Sequence, residues 1–155
     1  MKTRTVTLLS IALLATLAIG AFVTQVLSAP PRARAKAWFY PRTYILDNSV
    51  PQPWNVWLHF SPPRTASELD ALSIRLEGLY TPSAAPYDHP NQPKIVVPFD
   101  GYDVLAAAMT KMGHMTPGQS YLVFLEVTGL LEDGTPFSTG SSGCIVLFIP
   151  DCSPP

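Results

Sequence analysis

Charged residues are scarce in this chain, and chemically reactive side chains are few. Only 14% of the residues are charged, and 10 basic against 11 acidic residues leave a formal net charge of −1. This near-neutral balance gives no electrostatic footprint for nucleic-acid binding. The chain has 2 cysteines and 3 histidines, and no two histidines have the spacing of a helical zinc motif. No nucleophile motif is present either, so the sequence predicts a protein that is not an enzyme and needs no cofactor.

The longest stretch without charge lies near the N-terminus. It runs from Thr5 to Pro31 and follows the basic residues Lys2 and Arg4. Val6–Ala29 is long enough for a helix that crosses a bilayer, since about 20 apolar residues suffice. The two prolines that follow would end such a helix. We therefore predict that residues 1–29 form a transmembrane anchor or an uncleaved signal.

A cleaved signal peptide is the alternative to an anchor. Its cleavage site would follow Ala29 or Ala35, each at the end of a short run with small residues. Basic residues flank both ends of the apolar stretch and oppose each other in setting its orientation. The export-like segment, with two cysteines that permit a disulfide, places the downstream domain on the periplasmic or extracellular side. Residues 30–36, which contain prolines and arginines, are predicted to form a linker.

Small residues recur every four positions in the uncharged segment. They are Ala12, Thr16, Gly20 and Thr24. On a helix they would share one face, where small side chains let a second helix approach and threonine hydroxyls bond across the contact. The stripe predicts a helix-packing partner in the membrane. The alternative is chance, because alanine and threonine are common in any apolar helix.

Beyond the linker, apolar and polar residues alternate in short runs, which is the pattern of half-buried strands. Asp133-Gly134 between two apolar runs predicts a tight hairpin. One helix is predicted at Val104–Met112, capped by Asp100 or Asp103 and ended by Gly113. The predicted strands are 37–46, 54–60, 72–77, 94–99, 121–131, 136–139 and 144–149. The expected fold is all-β, a sandwich of six to seven strands with one short helix over residues 37–150, followed by a tail at 151–155.

Two segments carry a resemblance to a known family. They are "ELDALSIRLEG" and "VTGLLEDGTPFSTGSSGCIVLFI". They resemble a recurring immunoglobulin-like module of exported and surface proteins of bacteria and archaea, most of which have no assigned activity. The resemblance covers Ala37–Ile149 and implies a β-sandwich outside the cytoplasm, with no catalytic residues to carry over. Many members have an Asp/Gly-rich, calcium-loop-like insert, but Tyr87–Pro93 at that place has a single carboxylate, which argues against calcium.

Two groups of residues could carry metal or redox chemistry. Thioether and imidazole ligands suit copper, which makes Met112, His114 and Met115 weak copper candidates. The alternative is that Met112 is a core residue of the helix and His114 a loop residue. Cys144 and Cys152 form a possible disulfide, provided that the chain folds back between them.

More apolar side chains point away from the predicted core than two sheets cover by packing on each other. Val96 is one of them, and Ile145–Ile149 is apolar on both faces. Such a surplus indicates a contact with another protein or with the membrane. The alternative is that the helix and the loops cover it. The predicted interface residues are Trp38, Phe39, Tyr40, Trp57, Leu122 and Phe124.

Together these features predict a single-pass membrane protein with a non-catalytic domain outside the cytoplasm. We expect an accessory or scaffold subunit of a larger membrane assembly, for which a respiratory or photosynthetic complex is an admissible host. The expected partners are the membrane and other membrane-protein subunits, not nucleic acid or a small-molecule substrate. The alternative is a secreted or surface module, cleaved from its signal, that acts in adhesion or as a filament subunit by strand addition.

Overall fold

A computed structural model of the chain describes residues 32–46 and 51–150. The strands are β1 (Ala33–Tyr40), β2 (Thr43–Ile45), β3 (Trp54–Phe60), β4 (Leu69–Leu76), β5 (Tyr87–Asp88), β6 (Ile95–Phe99), β7 (Ser120–Leu125), β8 (Val127–Leu131), β9 (Pro136–Ser138) and β10 (Gly143–Phe148). Helix α1 is Gly101–Met112, and single 3-10 turns lie at Ala66–Glu68 and Gly140–Ser142. The predicted span at 1–29, its stripe of small residues and the tail at 151–155 lie outside the described residues.

The strands form two sheets. One has seven strands in the order β4-β8-β9-β1-β3-β6-β5, and the other has three in the order β2-β10-β7. Neighbouring strands are antiparallel except for two pairs, β1 with β9 and β2 with β10. The described residues are therefore mostly β with one helix, and the all-β prediction is confirmed at this level.

One hydrophobic core joins both sheets and the helix. Alternate residues of β3 are buried, which confirms the predicted inward face of that strand. Trp54 on this strand is fully buried, with its ring 6.4 Å from the Phe39 ring and 6.1 Å from the Tyr44 ring, measured between centroids. The three-stranded sheet contributes Ile145 and Leu147, and helix α1 contributes Val104 and other small side chains. The core therefore lies between the sheets and against the helix.

The first predicted strand, 37–46, is two strands in different sheets. β1 begins at Ala33, within the predicted linker, because Ala35 is buried while Arg34 and Lys36 face outward in the alternation of a strand. The chain bends at residues 41 and 42, and β2 then pairs with the last strand of the other sheet. Pro41 lies in this bend and thus marks a change of sheet.

The long predicted strand at 121–131 also passes from one sheet to the other. β7 belongs to the three-stranded sheet and β8 to the seven-stranded sheet, and Glu126 lies between them. The Glu126 N–H donates to the Glu77 carboxylate, and the Glu77 N–H donates to the Glu126 carbonyl. Lys111 Nζ of helix α1 lies 2.8 Å from Glu77 Oε1. Charged side chains therefore fix the point at which the strand changes sheet.

Strand β4 departs from the predicted alternation. Strict alternation along the predicted strand 72–77 would place Leu72 inward with Ile74 and Leu76, but Leu72 is 85% exposed while the other two are fully buried. The pairing of β4 with β8 shifts register between Asp70 and Arg75. Asp70 holds this bulge, since its side chain accepts the Leu72 N–H and its carbonyl accepts the Ser73 hydroxyl. A bulge adds a residue to one strand and moves the following side chains to the opposite face.

The predicted helix caps and hairpin are confirmed. Asp100 is the N-cap of α1 and accepts the Tyr102 N–H at 2.8 Å, and Gly113 ends the helix. The hairpin between β8 and β9 closes through the Leu131 N–H, which donates to the Thr135 carbonyl. Gly134 there has a φ of 80°, the left-handed conformation that favours glycine in tight turns.

A charged cap begins the first 3-10 turn. The Thr65 N–H donates to Glu68 Oε1 at 3.0 Å, and Arg64 Nη1 donates to Glu68 Oε2 at 2.6 Å. The hydrogen bond from Arg64 is the largest cause of a Glu68 pKa below the ordinary value of 4.5. Asp88 of β5 accepts the Ala66 N–H at 2.7 Å, so the lone carboxylate of the predicted loop fastens this turn to the edge strand.

We predict that Glu68→Gln makes stability less sensitive to acid. A carboxyl with a lowered folded-state pKa stabilises the fold while it is ionised, and this contribution is lost as the pH falls through the folded-state value. The wild type should therefore lose more unfolding free energy than the variant between neutral pH and a pH below 4.5. The difference should be small because the pair is exposed. Urea unfolding at both pH values measures it, and equal losses would contradict the prediction.

Candidate functional site

The predicted interface residues lie on the outer faces of the two sheets, with one exception. Phe39 differs from its neighbours because it is buried in the core at 4% exposure, so it is not available to a partner. Trp38 and Tyr40 alternate with it and face outward on β1. Leu122 and Phe124 face outward on β7 and are 54% and 46% exposed. The sequence therefore predicted residues of two separate surfaces as one set.

The outer face of the three-stranded sheet is apolar. We define the apolar face as the outward positions of its strands, which are Thr43, Ile45, Ser120, Leu122, Phe124, Cys144, Val146 and Phe148. Strand register sets them side by side, with Val146 between Thr43 and Leu122, and Cys144 opposite Phe124. None of these side chains is charged. An apolar patch without charge is the feature of a protein surface that most often marks a contact site.

Two cationic residues flank the apolar face. Lys111 Nζ donates to the Phe124 carbonyl at 3.0 Å, at one edge of the sheet. Arg42 precedes β2 at the other edge, and its carbonyl accepts the Val146 N–H at 2.8 Å. An apolar centre with a polar rim is the usual composition of a protein–protein interface.

The outer face of the seven-stranded sheet is different, because aromatic and cationic side chains share it. We define the aromatic face as Lys36, Trp38, Tyr40, Trp57, His59, Tyr87, His89 and Lys94, which lie on or beside strands β1, β3, β5 and β6. Trp38 is opposite Trp57, and Tyr40 lies nearly parallel to Trp57 with ring centroids 6.0 Å apart. Val96 also points outward here but is buried, and Tyr87 is its partner across the strands. Val96 is therefore covered by other parts of the domain, which was the alternative to a contact with a partner or the membrane.

Lys94 lies at the centre of the aromatic face. Its Nζ is 4.9 Å from the Trp38 ring centroid and 5.0 Å from the Trp57 ring centroid. Both distances are within the range of cation–π attraction, so the two rings hold the ammonium in place. The sequence predicts a strand at 94–99 but gives no sign that Lys94 meets two tryptophans, because this contact depends on the order of strands in the sheet.

Two histidines complete the aromatic face, and hydrogen bonds set their orientation. His59 Nδ1 lies 3.1 Å from the Pro93 carbonyl, and since a carbonyl only accepts, this nitrogen carries the proton. His89 Nδ1 accepts the Asn91 N–H at 3.2 Å. The His59 ring contacts Trp38 and the His89 ring contacts Trp57, with centroids 6.3 Å and 5.2 Å apart.

The predicted copper residues lie at the end of helix α1 and in the loop that follows it. Met112 packs against the core at the end of α1, whereas His114 is exposed in the following loop. Among residues 32–46 and 51–150, no group of three histidine, cysteine, aspartate or glutamate side chains could hold a metal ion. Copper binding through Met112, His114 and Met115 stays a prediction, as does the disulfide, because Cys152 lies outside the described residues.

The described part of the chain contains no helix that is both long enough and apolar enough to span a membrane. Compared with known proteins, the chain matches no family model, no curated protein and no solved structure. The two outer faces are the candidate functional surfaces of the domain.

Proposed function

We propose that this protein is a non-catalytic, membrane-anchored subunit that docks on another subunit of its membrane assembly through the apolar face. In this proposal residues 1–29 are the anchor and the domain lies on the periplasmic or extracellular side. The observation that carries the proposal is a sheet face with no charged outward position, on which Ile45, Leu122 and Phe124 are each about half exposed. Burying these side chains against a partner is favourable at about 25 cal/mol per Å².

The anchor and the apolar face would act together. The apolar face has two outward positions on β2, three on β10 and three on β7. A typical stable interface uses about 20–30 residues a side, so this face is too small to hold a partner by itself. The uncharged segment Val6–Ala29, with small residues at every fourth position, supplies a second contact surface within the membrane. Two linked contacts give tighter binding than either alone.

The proposed domain is an immunoglobulin-like sandwich, and strand order supports this assignment. β1, β3, β6 and β5 are adjacent in that order, as the A, B, E and D strands are in such domains. β4, β8 and β9 join them only through a short parallel pairing at residues 33 and 34 of β1. In this assignment β7 and β8 form one bent strand of the opposite sheet. β9 and β10 form the bent strand next to it.

We predict that Leu122→Ser combined with Phe124→Ser releases the partner. Both side chains are exposed, so the substitutions should leave the fold intact. They remove two large, exposed apolar groups of the apolar face, and losing two such anchors should weaken binding about tenfold or more. The measurement compares the amount of partner that co-purifies with full-length wild type and variant from native membranes in mild detergent.

Leu72→Ser is the matched control, since Leu72 is a more exposed leucine on the bulge of β4. It should retain the partner at the wild-type level. If the double variant and Leu72→Ser recover equal amounts of the partner, the apolar face is not part of the interface. A solubilised wild type that runs as a lone monomer would contradict the proposal as a whole. Detergent-free oligomers of a chain shortened at the N-terminus would favour the surface or filament module.

A further inference from the structure

The aromatic face carries a second inference, independent of docking through the apolar face. We propose that it binds an acidic polysaccharide, a chain of sugar rings that carry carboxylate groups. The exposed rings of Trp38, Tyr40 and Tyr87 would stack on the sugars, and Lys94 would pair with a carboxylate.

Ring chemistry supports sugar as the ligand. The face of an aromatic ring carries partial negative charge, and the C–H bonds on the flat side of a sugar ring are weakly positive. Stacking therefore needs exposed indole or phenol faces rather than aliphatic groups. The large hydrophobic side chains exposed on this surface are all aromatic, whereas Val96 beneath them is buried.

Charge supports an acidic ligand. Lys36 and Lys94 lie on this surface, and no outward position of β1, β3, β5 or β6 holds a carboxylate. The nearby Asp88 is directed to the Ala66 N–H instead. Because two tryptophans fix the Lys94 ammonium, it is presented among stacking rings at little further entropic cost.

The shape of the aromatic face and its small number of positive charges disfavour other classes of ligand. The rings of Trp38, Tyr40 and Tyr87 are exposed on the outer surface of a sheet. Such a surface suits an extended chain better than a small molecule or a peptide side chain that needs a pocket. Nucleic acid binds through many phosphate contacts, and Arg34, Lys36 and Lys94 on a chain of net charge −1 supply few of them.

Calorimetric titration of the full-length protein in detergent with polygalacturonate tests the proposal. The fully methyl-esterified polymer is the matched probe, since it keeps the sugar chain and loses the charge. We expect binding of the acidic form, and at least tenfold weaker binding of the ester. Trp38→Ala with Tyr40→Ala should weaken binding of the acidic form about tenfold or more, by analogy with stacking on nucleobases. Lys94→Met should abolish the preference for the acidic polymer over the ester and lower the salt dependence of binding. Lys94→Arg keeps the positive charge and should retain both properties.

Tyr102→Ala is the control variant, because Tyr102 is an equally exposed tyrosine on helix α1. It should bind like the wild type, and circular dichroism melts should show a cooperative folded state in every variant. No binding of polygalacturonate, equal binding of acid and ester, or an equal effect of Tyr102→Ala would each overturn the proposal. Tighter binding of a single-stranded oligothymidylate would overturn it in favour of nucleic acid.

Discussion

Replacing Trp54 with alanine should destabilise the protein by about 3–5 kcal/mol, the range for removing a large aromatic side chain from a core. Trp54 is fully buried, and its ring packs against Phe39 of β1 and Tyr44 of β2. These two strands belong to different sheets, so the indole fills the space where the sheets meet. Urea unfolding of wild type and variant, followed by circular dichroism, measures the loss.

A graded series at this position tests the physical reason. Within the described ranges, the Trp54 indole N–H is buried without a hydrogen-bond partner. Leaving a donor unpaired costs about 1–3 kcal/mol, so Trp54→Phe removes an unfavourable group along with part of the ring. Its cost should be well below that of alanine. Trp38→Ala, an exposed tryptophan on the aromatic face, should change stability by about 1 kcal/mol at most. Equal losses for Trp54→Phe and Trp54→Ala would contradict this explanation.

Gly143→Ala should destabilise the fold by about 1–3 kcal/mol, because there is no room for a methyl group. A Cβ at position 143 would lie 2.5 Å from Cε2 of Phe39, 3.0 Å from the Leu125 carbonyl oxygen and 3.1 Å from the Ala37 Cβ. β10 approaches β1 of the other sheet at this point. The Phe39 ring cannot move aside easily, since it packs against Trp54. Chemical unfolding of the purified variant measures the effect.

A second-site change distinguishes crowding from other causes. Phe39→Leu shortens the side chain that the new methyl group would meet, at a cost of its own. If crowding is the cause, the double variant should be more stable than the sum of the two single losses implies, by about 0.5–3 kcal/mol of coupling. Strict additivity would contradict crowding against Phe39 as the source of the loss.

The sequence predicted those parts of the fold that depend on neighbouring residues. The alternation in β3, the Asp100 cap, the end of α1 at Gly113 and the hairpin at Gly134 are all local signals, and the structure confirms them. The points at which the chain passes from one sheet to the other could not be predicted from neighbouring residues. Inward and outward side chains keep alternating through Glu126, from Val123 to Val127, so β7 and β8 look like one strand.

The candidate surfaces were only partly predictable for the same reason. Alternation along β7 was enough to place Leu122 and Phe124 outward. Alternation along the strand predicted at 37–46 places Phe39 on the opposite face from Trp38 and Tyr40, so predicting all three aromatic residues as one interface was wrong for Phe39. The meeting of Lys94 with Trp38 and Trp57 depends on three strands being adjacent, and such pairing is not encoded in any local pattern.

Native mass spectrometry of the protein extracted from its own membranes tests the central claim most directly. We expect the chain at its full mass of 16.9 kDa, bound to a second polypeptide in the same assembly. That result would mean that residues 1–29 are retained and that the protein works as a subunit. A chain lighter by the first 29 or 35 residues, or a full-length chain that is always alone, would contradict a membrane-anchored subunit that docks through the apolar face.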